Sequence, residues 1–133
     1  MHINLFFCEN ASTGMDGKLN VQGIYYELYS KGFPARQDRI ILAGAIEWDY
    51  DKEGQIPFKI DIVDPEEQSI FTINAHSDVE ARSKSQPAAI SHLIFPLENL
   101  IFTRAGQYRS YLTIENEKIS GPSLYVLYSD SGM

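Results

Sequence analysis

Apolar residues fall at every second position in short runs along this chain, and turn-forming residues break the runs about every 8–15 positions. Phe58, Ile60 and Ile62 alternate with Lys59 and Asp61 in the cleanest instance. Successive side chains of an extended strand point to opposite faces, so such a run buries one face and wets the other. A helix would instead need apolar residues at a period of 3.6, and nowhere is that pattern sustained. The spacing therefore predicts an all-β chain, an antiparallel β-sandwich of about seven or eight strands.

The strand expectations follow from the runs. Ile3–Cys8 opens the chain, and Asn10–Gly17 turns it into Leu19–Tyr26, where Leu19, Val21, Gly23 and Tyr25 share one face. Ser30–Asp38 is expected to be a loop, with Phe33 tucked beneath it. In a long strand over Arg39–Tyr50, Ile40, Leu42, Gly44, Ile46 and Trp48 face inward, and Ala43, Ala45 and Glu47 lie opposite. Phe58–Ile62 ends at Asp64-Pro65, because proline cannot donate to a ladder. Ser69–Asn74 is a short strand, and the polar stretch 75–87 a long loop with room for a short helix from Asp78. Ala88–Phe95 closes at Pro96. Gln107–Glu115 turns through Asn116-Glu117 into Lys118–Ile119, and Leu124–Tyr128 completes the set before a frayed tail, 129–133.

One segment favours an immunoglobulin-like Greek key over a jelly roll. Leu100 to Tyr108 carries a leucine, a tight turn at Gly106 and a tyrosine opening the next strand, as in a tyrosine corner; the alternative is that Tyr108 is one more core aromatic.

Length and charge limit what such a fold could do. At 133 residues one domain, 1–133, can bury a core without metal or disulfides. Eighteen Asp and Glu against eleven Lys and Arg give a net charge of −7, which opposes nucleic acid and anionic membranes as partners. No run approaches the ~20 apolar residues of a membrane helix. Cys8, the single cysteine, allows no internal disulfide, and the apolar run Leu5–Cys8 is too short for a secretory signal; both favour the cytoplasm.

Several blocks taken together resemble a family of small uncharacterised bacterial proteins, a domain of unknown function. They are Leu5–Cys8, Asp16–Gly23, Phe33-Pro34-Ala35, Leu100–Tyr108 and Glu115–Ile119. Ile24-Tyr25-Tyr26 departs from the glycine and tryptophan that often follow there in the family. The resemblance implies a β-sandwich and carries over no activity, cofactor or site residue.

No motif assigns a chemistry. His2, His76 and His92 lack the paired spacing of metal ligands. Asp49–Gly54 half resembles a calcium loop, but Ile60 stands where the bidentate acid belongs. His76-Ser77-Asp78 holds the residue types of a catalytic triad as chain neighbours, which cannot adopt the triad's geometry. Cys8 reads as a buried, inert thiol. These readings point to a protein that is not an enzyme and needs no cofactor or metal.

Tyrosine is the surviving feature. Tyr25 and Tyr26 are adjacent, while Tyr108 and Tyr111, like Tyr125 and Tyr128, stand three apart. An odd separation in a strand sends the two rings to opposite faces. With Tyr25 and Tyr108 inward, Tyr26 and Tyr111 face out, joined by Tyr125 or Tyr128. Tyr26, Tyr111 and Tyr125 are thus the candidate partner surface, since tyrosine offers an apolar body with a polar tip; β propensity alone also places tyrosine on exposed strands. The expected function is protein binding or self-association, with a homodimer the simplest form. A ligand or carbohydrate binder using loops 30–38 and 75–87 is the alternative, and an enzyme with an unrecognised site the third.

Overall fold

A computed structural model describes residues 1–130. Nine strands and no helix make up those residues: β1 (His2–Thr13), β2 (Leu19–Ile24), β3 (Glu27–Ser30), β4 (Ala35–Glu47), β5 (Gly54–Val63), β6 (Ser69–Val79), β7 (Ile90–Phe102), β8 (Gly106–Ile114) and β9 (Glu117–Tyr128). They form two sheets, one ordered β2-β1-β4-β7 and the other β3-β9-β8-β5-β6. The sheets pack face to face as a β-sandwich. All pairings are antiparallel except β3 with β9, which is parallel.

The expected alternation builds the core. Leu5 and Phe7 of β1, Ile40, Leu42 and Ile46 of β4, and Leu93, Leu97 and Phe102 of β7 meet Phe58, Ile60 and Ile62 of β5 and Tyr108, Leu112 and Ile114 of β8. Each such fully buried side chain contributes about 1.5–3 kcal/mol. The Tyr108 hydroxyl donates to the Arg104 carbonyl at 2.8 Å, and its ring packs edge-on against Phe102 at 4.8 Å. The corner anticipated at Leu100–Tyr108 thus has its tether.

Strand limits differ from expectation in informative ways. β7 does not close at Pro96 but runs through it to Phe102. It is an edge strand, and a proline fits there when its nitrogen faces the unpaired side. The stretch expected as a long loop with a short helix from Asp78 is β6 continuing to Val79, with Ala75, Ser77 and Val79 turned inward. Polar His76 and Asp78 on the wet face hid that alternation. Lys118–Ile119 and Leu124–Tyr128 are one strand, β9, which passes Gly121-Pro122 opposite a register shift between Arg109 and Tyr111. The turn into it is Glu115-Asn116, one residue earlier than expected, with both residues at positive φ (50° and 68°), as a two-residue hairpin turn requires.

The expected 30–38 loop is shorter, because β3 ends at Ser30 and β4 begins at Ala35, with a cis Phe33-Pro34 bond between them. Ser129 of the anticipated frayed tail donates its amide to the Ser30 carbonyl at 2.9 Å, and 131–133 lie outside the described residues.

The shared face proposed for Leu19, Val21, Gly23 and Tyr25 is divided. Val21 packs against a second small cluster, Cys8, Ile41 and Ala43, on the outer face of the first sheet, while Tyr25 packs against the main core. Gly23 sits between them at φ +67°. That left-handed conformation costs glycine little and lets the chain bend out of β2 and cross to the other sheet. Ala43 is therefore buried on the face expected to be solvated.

Candidate binding site at the β2–β3 corner

Pairing register opens a notch in the first sheet. β1 pairs with β4 from His2–Glu47 through Cys8–Ile41, and then leaves it to pair with β2 alone as far as Thr13–Leu19. β4 continues back to Ala35 with only β7 beside it. The position that β1 would have held next to residues 35–40 is vacant. The chain crosses above this gap at Tyr25 and Tyr26, and β3 follows on the opposite sheet.

A cleft of about 540 Å³ fills the gap, lined by Glu9, Tyr25, Glu27, Leu28, Gln37 and Arg39 among others. Leu28 and Tyr25 supply an apolar floor continuous with the core. Burial, reinforced by the nearby Cys8 thiol and Glu9 carboxylate, pushes the Tyr25 phenol up to about 12. Tyr25 therefore stays neutral there and serves as a hydrogen-bonding rather than a charged group. Glu9 folds across Gly23, in the space that any side chain at Gly23 would occupy. Glu9, Gln37 and Arg39 make no side-chain hydrogen bond or ion pair, whereas Glu27 accepts the Tyr29 hydroxyl.

Main-chain geometry strengthens the point. Pro96 pairs with Ile41 and has no N–H to give to β4, so this is a pair whose main-chain groups face away from each other. Alternation turns the Arg39 main-chain groups toward the side that β1 has left, and it breaks at Asp38, because Ala35 and Ile40 both face the core.

Tyrosines rim the corner. The Tyr125 amide donates to the Tyr26 carbonyl at 2.9 Å, which ties the crossover to β9. Tyr26 is 59% exposed, Tyr125 44%, Tyr29 40% and Tyr128 59%. Glu27 pairs with Tyr125 and Tyr29 with Leu127, so Tyr29 and Tyr125 are diagonal neighbours on the outer face of the second sheet. Tyr26 and Tyr125, singled out in the sequence, thus lie together.

Tyr111 does not join them. It is half-buried farther along β8, with the Lys118 ammonium 4.1 Å over its ring and its hydroxyl donating to Glu67. Asp61 is its cross-strand partner. Tyr29 belongs to the group and was missed, because the loop expected from Ser30 left no strand to set its direction.

The two loops proposed to share a ligand do not converge. Ala35, at the end of the 31–34 loop, pairs with Phe102, whereas Ile90, after the 80–89 segment, pairs with Glu47. They lie a full strand apart, roughly 40 Å at ~3.3 Å per residue. Another cleft, of about 590 Å³, lies at the end of the sandwich beside the β8–β9 turn. Both of its cations are already engaged: the Met1 ammonium meets Asp49 at 2.5 Å, and Lys52 meets Glu115 at 3.0 Å, a bond that raises the Lys52 pKa. Among the described residues no three His, Cys, Asp or Glu side chains converge as a metal-ligand set, and Asp49–Gly54 forms the turn between β4 and β5. Cys8 is fully buried, its thiol directed at the Ile41 carbonyl at 3.6 Å, and burial pushes its pKa up. No helix among the described residues is long and apolar enough to cross a membrane.

No curated protein matches the chain. A model of a family of unknown function, DUF6941, matches residues 4–127, and the chain belongs to that family.

Proposed function

We propose that this protein is a non-enzymatic interaction module that binds a protein partner at the β2–β3 corner. The observation that carries the reading is the proximity of Tyr29 and Tyr125 on the outer face of β3 and β9, with Tyr26 held to Tyr125 by a main-chain hydrogen bond and all three rings substantially exposed; Tyr25, Glu27 and Leu28 of the same segment line the neighbouring cleft. Aromatic anchors beside a partly apolar cleft are the composition of interface hot spots. A net charge of −7 favours partners with basic surfaces through long-range steering. The reading takes the sandwich as immunoglobulin-like, on the tether of Tyr108 to Arg104, and places it in the cytoplasm, on its single cysteine.

Affinity capture from a lysate of the source organism, read by mass spectrometry, tests it. A partner held by the parent and by Tyr111→Ser, but lost with the double variant Tyr26→Ser, Tyr125→Ser, is the expected result. Identical capture by all three proteins would remove the corner from consideration.

A further inference from the structure

We infer that β6 is a self-association edge, along which a second copy of the chain adds its own β6 antiparallel and joins the two five-stranded sheets into one. The tyrosine corner lies at the opposite end of that sheet, on β3 and β9, so this surface stands apart from it.

Four strands end the two sheets: β2, β7, β3 and β6. Such edges offer unpaired amides and carbonyls to other chains, and folded proteins shorten, kink or charge them to prevent pairing. Three of the four are treated in this way. β2 has six residues and bends at Gly23, β3 has four residues, and β7 carries Pro96, Glu98 and Asn99 at φ 57°. β6 has eleven residues with no proline, lysine or arginine, and Asp78 is its one formal charge. From Phe71 to Val79 its alternation is unbroken, with Thr72, Asn74, His76 and Asp78 exposed.

Two observations fix which main-chain groups face the open side. Pro57 pairs with His76 and has no N–H to give, so the main-chain groups of that pair point away from each other. Independently, the two-residue turn at Glu115-Asn116 makes Ile114–Glu117 a hydrogen-bonded pair. Alternation across β8 and β5 then makes Thr113–Lys59 a bonded pair and Lys59–Asn74 a non-bonded one. Both assign the outward amides and carbonyls to Thr72, Asn74, His76 and Asp78. Among the described residues β6 pairs with β5 alone. The Trp48–Ser91–Ser77 side-chain bonds close the seam between the sheets and take up none of these groups.

The outward row is complementary to itself. With a twofold axis at Ala75, Thr72 lies opposite Asp78 of the second copy and Asn74 opposite its His76, and each facing pair exchanges both main-chain hydrogen bonds. Moving the axis to Asn74 or His76 loses one of the four pairs, and the latter also opposes two imidazoles. Charge permits the contact. A chain of net charge −7 repels its copy, so an association surface has to be locally neutral. Beside β6, Lys59 pairs with Asp61 at 3.4 Å and Arg82 with Glu80 at 3.2 Å, and Asp78 meets the neutral Thr72.

Sedimentation equilibrium of the intact protein tests this. The mass should rise with concentration to twice the 15.1 kDa of one chain, and more readily at high salt, which screens the like charge. Asn74→Pro removes an outward N–H and sets a ring against the added strand. An edge strand tolerates proline on its open side, so the circular dichroism should be unchanged while the dimer dissociation constant rises about tenfold or more. Mild oxidation of Ala75→Cys should link two copies, because the axis sets that residue opposite itself in a non-bonded pair, with Cβ atoms ~4.5–5.5 Å apart. Asn74→Cys should stay unlinked, and the native Cys8 is buried and does not compete.

A monomer at every concentration would overturn the inference without touching the corner's role. A dimer that survives Asn74→Pro and yields no Ala75→Cys crosslink would overturn β6 as the interface. So would a dimer that only the double variant Tyr26→Ser, Tyr125→Ser dissolves, which would assign self-association to the corner. Crosslinking through Asn74→Cys in place of Ala75→Cys would overturn the register.

Discussion

The two lateral edges of the sandwich treat their polar groups in opposite ways. At the β6–β7 edge the sheets are joined by a chain of hydrogen bonds. The Trp48 indole N–H donates to Ser91 Oγ at 2.8 Å, and Ser91 Oγ bonds Ser77 Oγ. Trp48 and Ser77 are buried, and a cleft of about 470 Å³ remains between the strands. At the β2–β3 edge the strands part, and the side chains of Glu9, Gln37 and Arg39 make no hydrogen bond or ion pair. A buried donor must be satisfied within the fold, because leaving it unpaired costs about 1–3 kcal/mol. Exposed charges remain solvated and available to a ligand at little cost to stability. The first edge is thus organised for stability and the second is free to serve binding.

The comparison breaks most easily at the closed edge. Trp48→Ala removes a fully enclosed indole and should cost about 3–5 kcal/mol, read as a shift in urea midpoint. A loss under about 1 kcal/mol would mean that the edge is not closed as described. Ser91→Ala should cost about 1–3 kcal/mol, since it strands the Trp48 N–H, and Ser91→Thr, which keeps a hydroxyl, should recover part of that loss.

Gly23→Ala bears on the open edge. It forces a side chain into the left-handed region and against Glu9, for a cost of about 1–2 kcal/mol. Circular dichroism melts of parent and variant would read it. If Glu9 is displaced, partner binding at the corner should fall as well.

A smaller effect is expected in alkali. The Tyr25 phenol is raised to about 12 in the folded chain by burial first, then by Cys8 and Glu9. An unfolded tyrosine ionises near ~10. The folded chain keeps this proton where the unfolded one has lost it, so the contribution is full below about pH 10 and is lost as the pH rises toward about 12. Tyr25→Phe should flatten the decline in thermal midpoint over that window. An unchanged slope would place the phenol in water.

The smallest effect sharpens the contrast. Arg39→Gln should change stability by no more than about 0.5 kcal/mol, as exposed substitutions do. A larger loss would show that the guanidinium has a structural role.

Much of the architecture was legible in the chain. Phe58, Ile60 and Ile62 alternate without interruption and lie inward in β5 as read, and Tyr108 at the Leu100–Gly106 corner meets its upstream carbonyl. Legibility failed where a local rule depends on a neighbouring strand. Pro96 ends a central strand but passes within an edge strand, and only strand order distinguishes the two. Val21 and Tyr25 share a face by counting, yet Gly23 at positive φ sends them to different clusters. A single glycine in a strand does not announce which conformation it adopts.

The candidate site was less legible than the fold. Outward tyrosines at Tyr26 and Tyr125 follow from the two-residue period, but their proximity depends on β3 lying parallel to β9. Tyr111 has the same outward direction and lies among Lys118, Glu67 and Asp61 instead. By itself, the sequence determined the class of fold, the inward residues of most strands and the turns between them, because alternation and turn chemistry act over a few neighbouring residues. Only the tertiary structure decided which strands became edges, where β1 parted from β4, and which tyrosines met around the gap. Those outcomes depend on pairing between segments distant in the chain, and pairing is set by the register and packing of whole sheets.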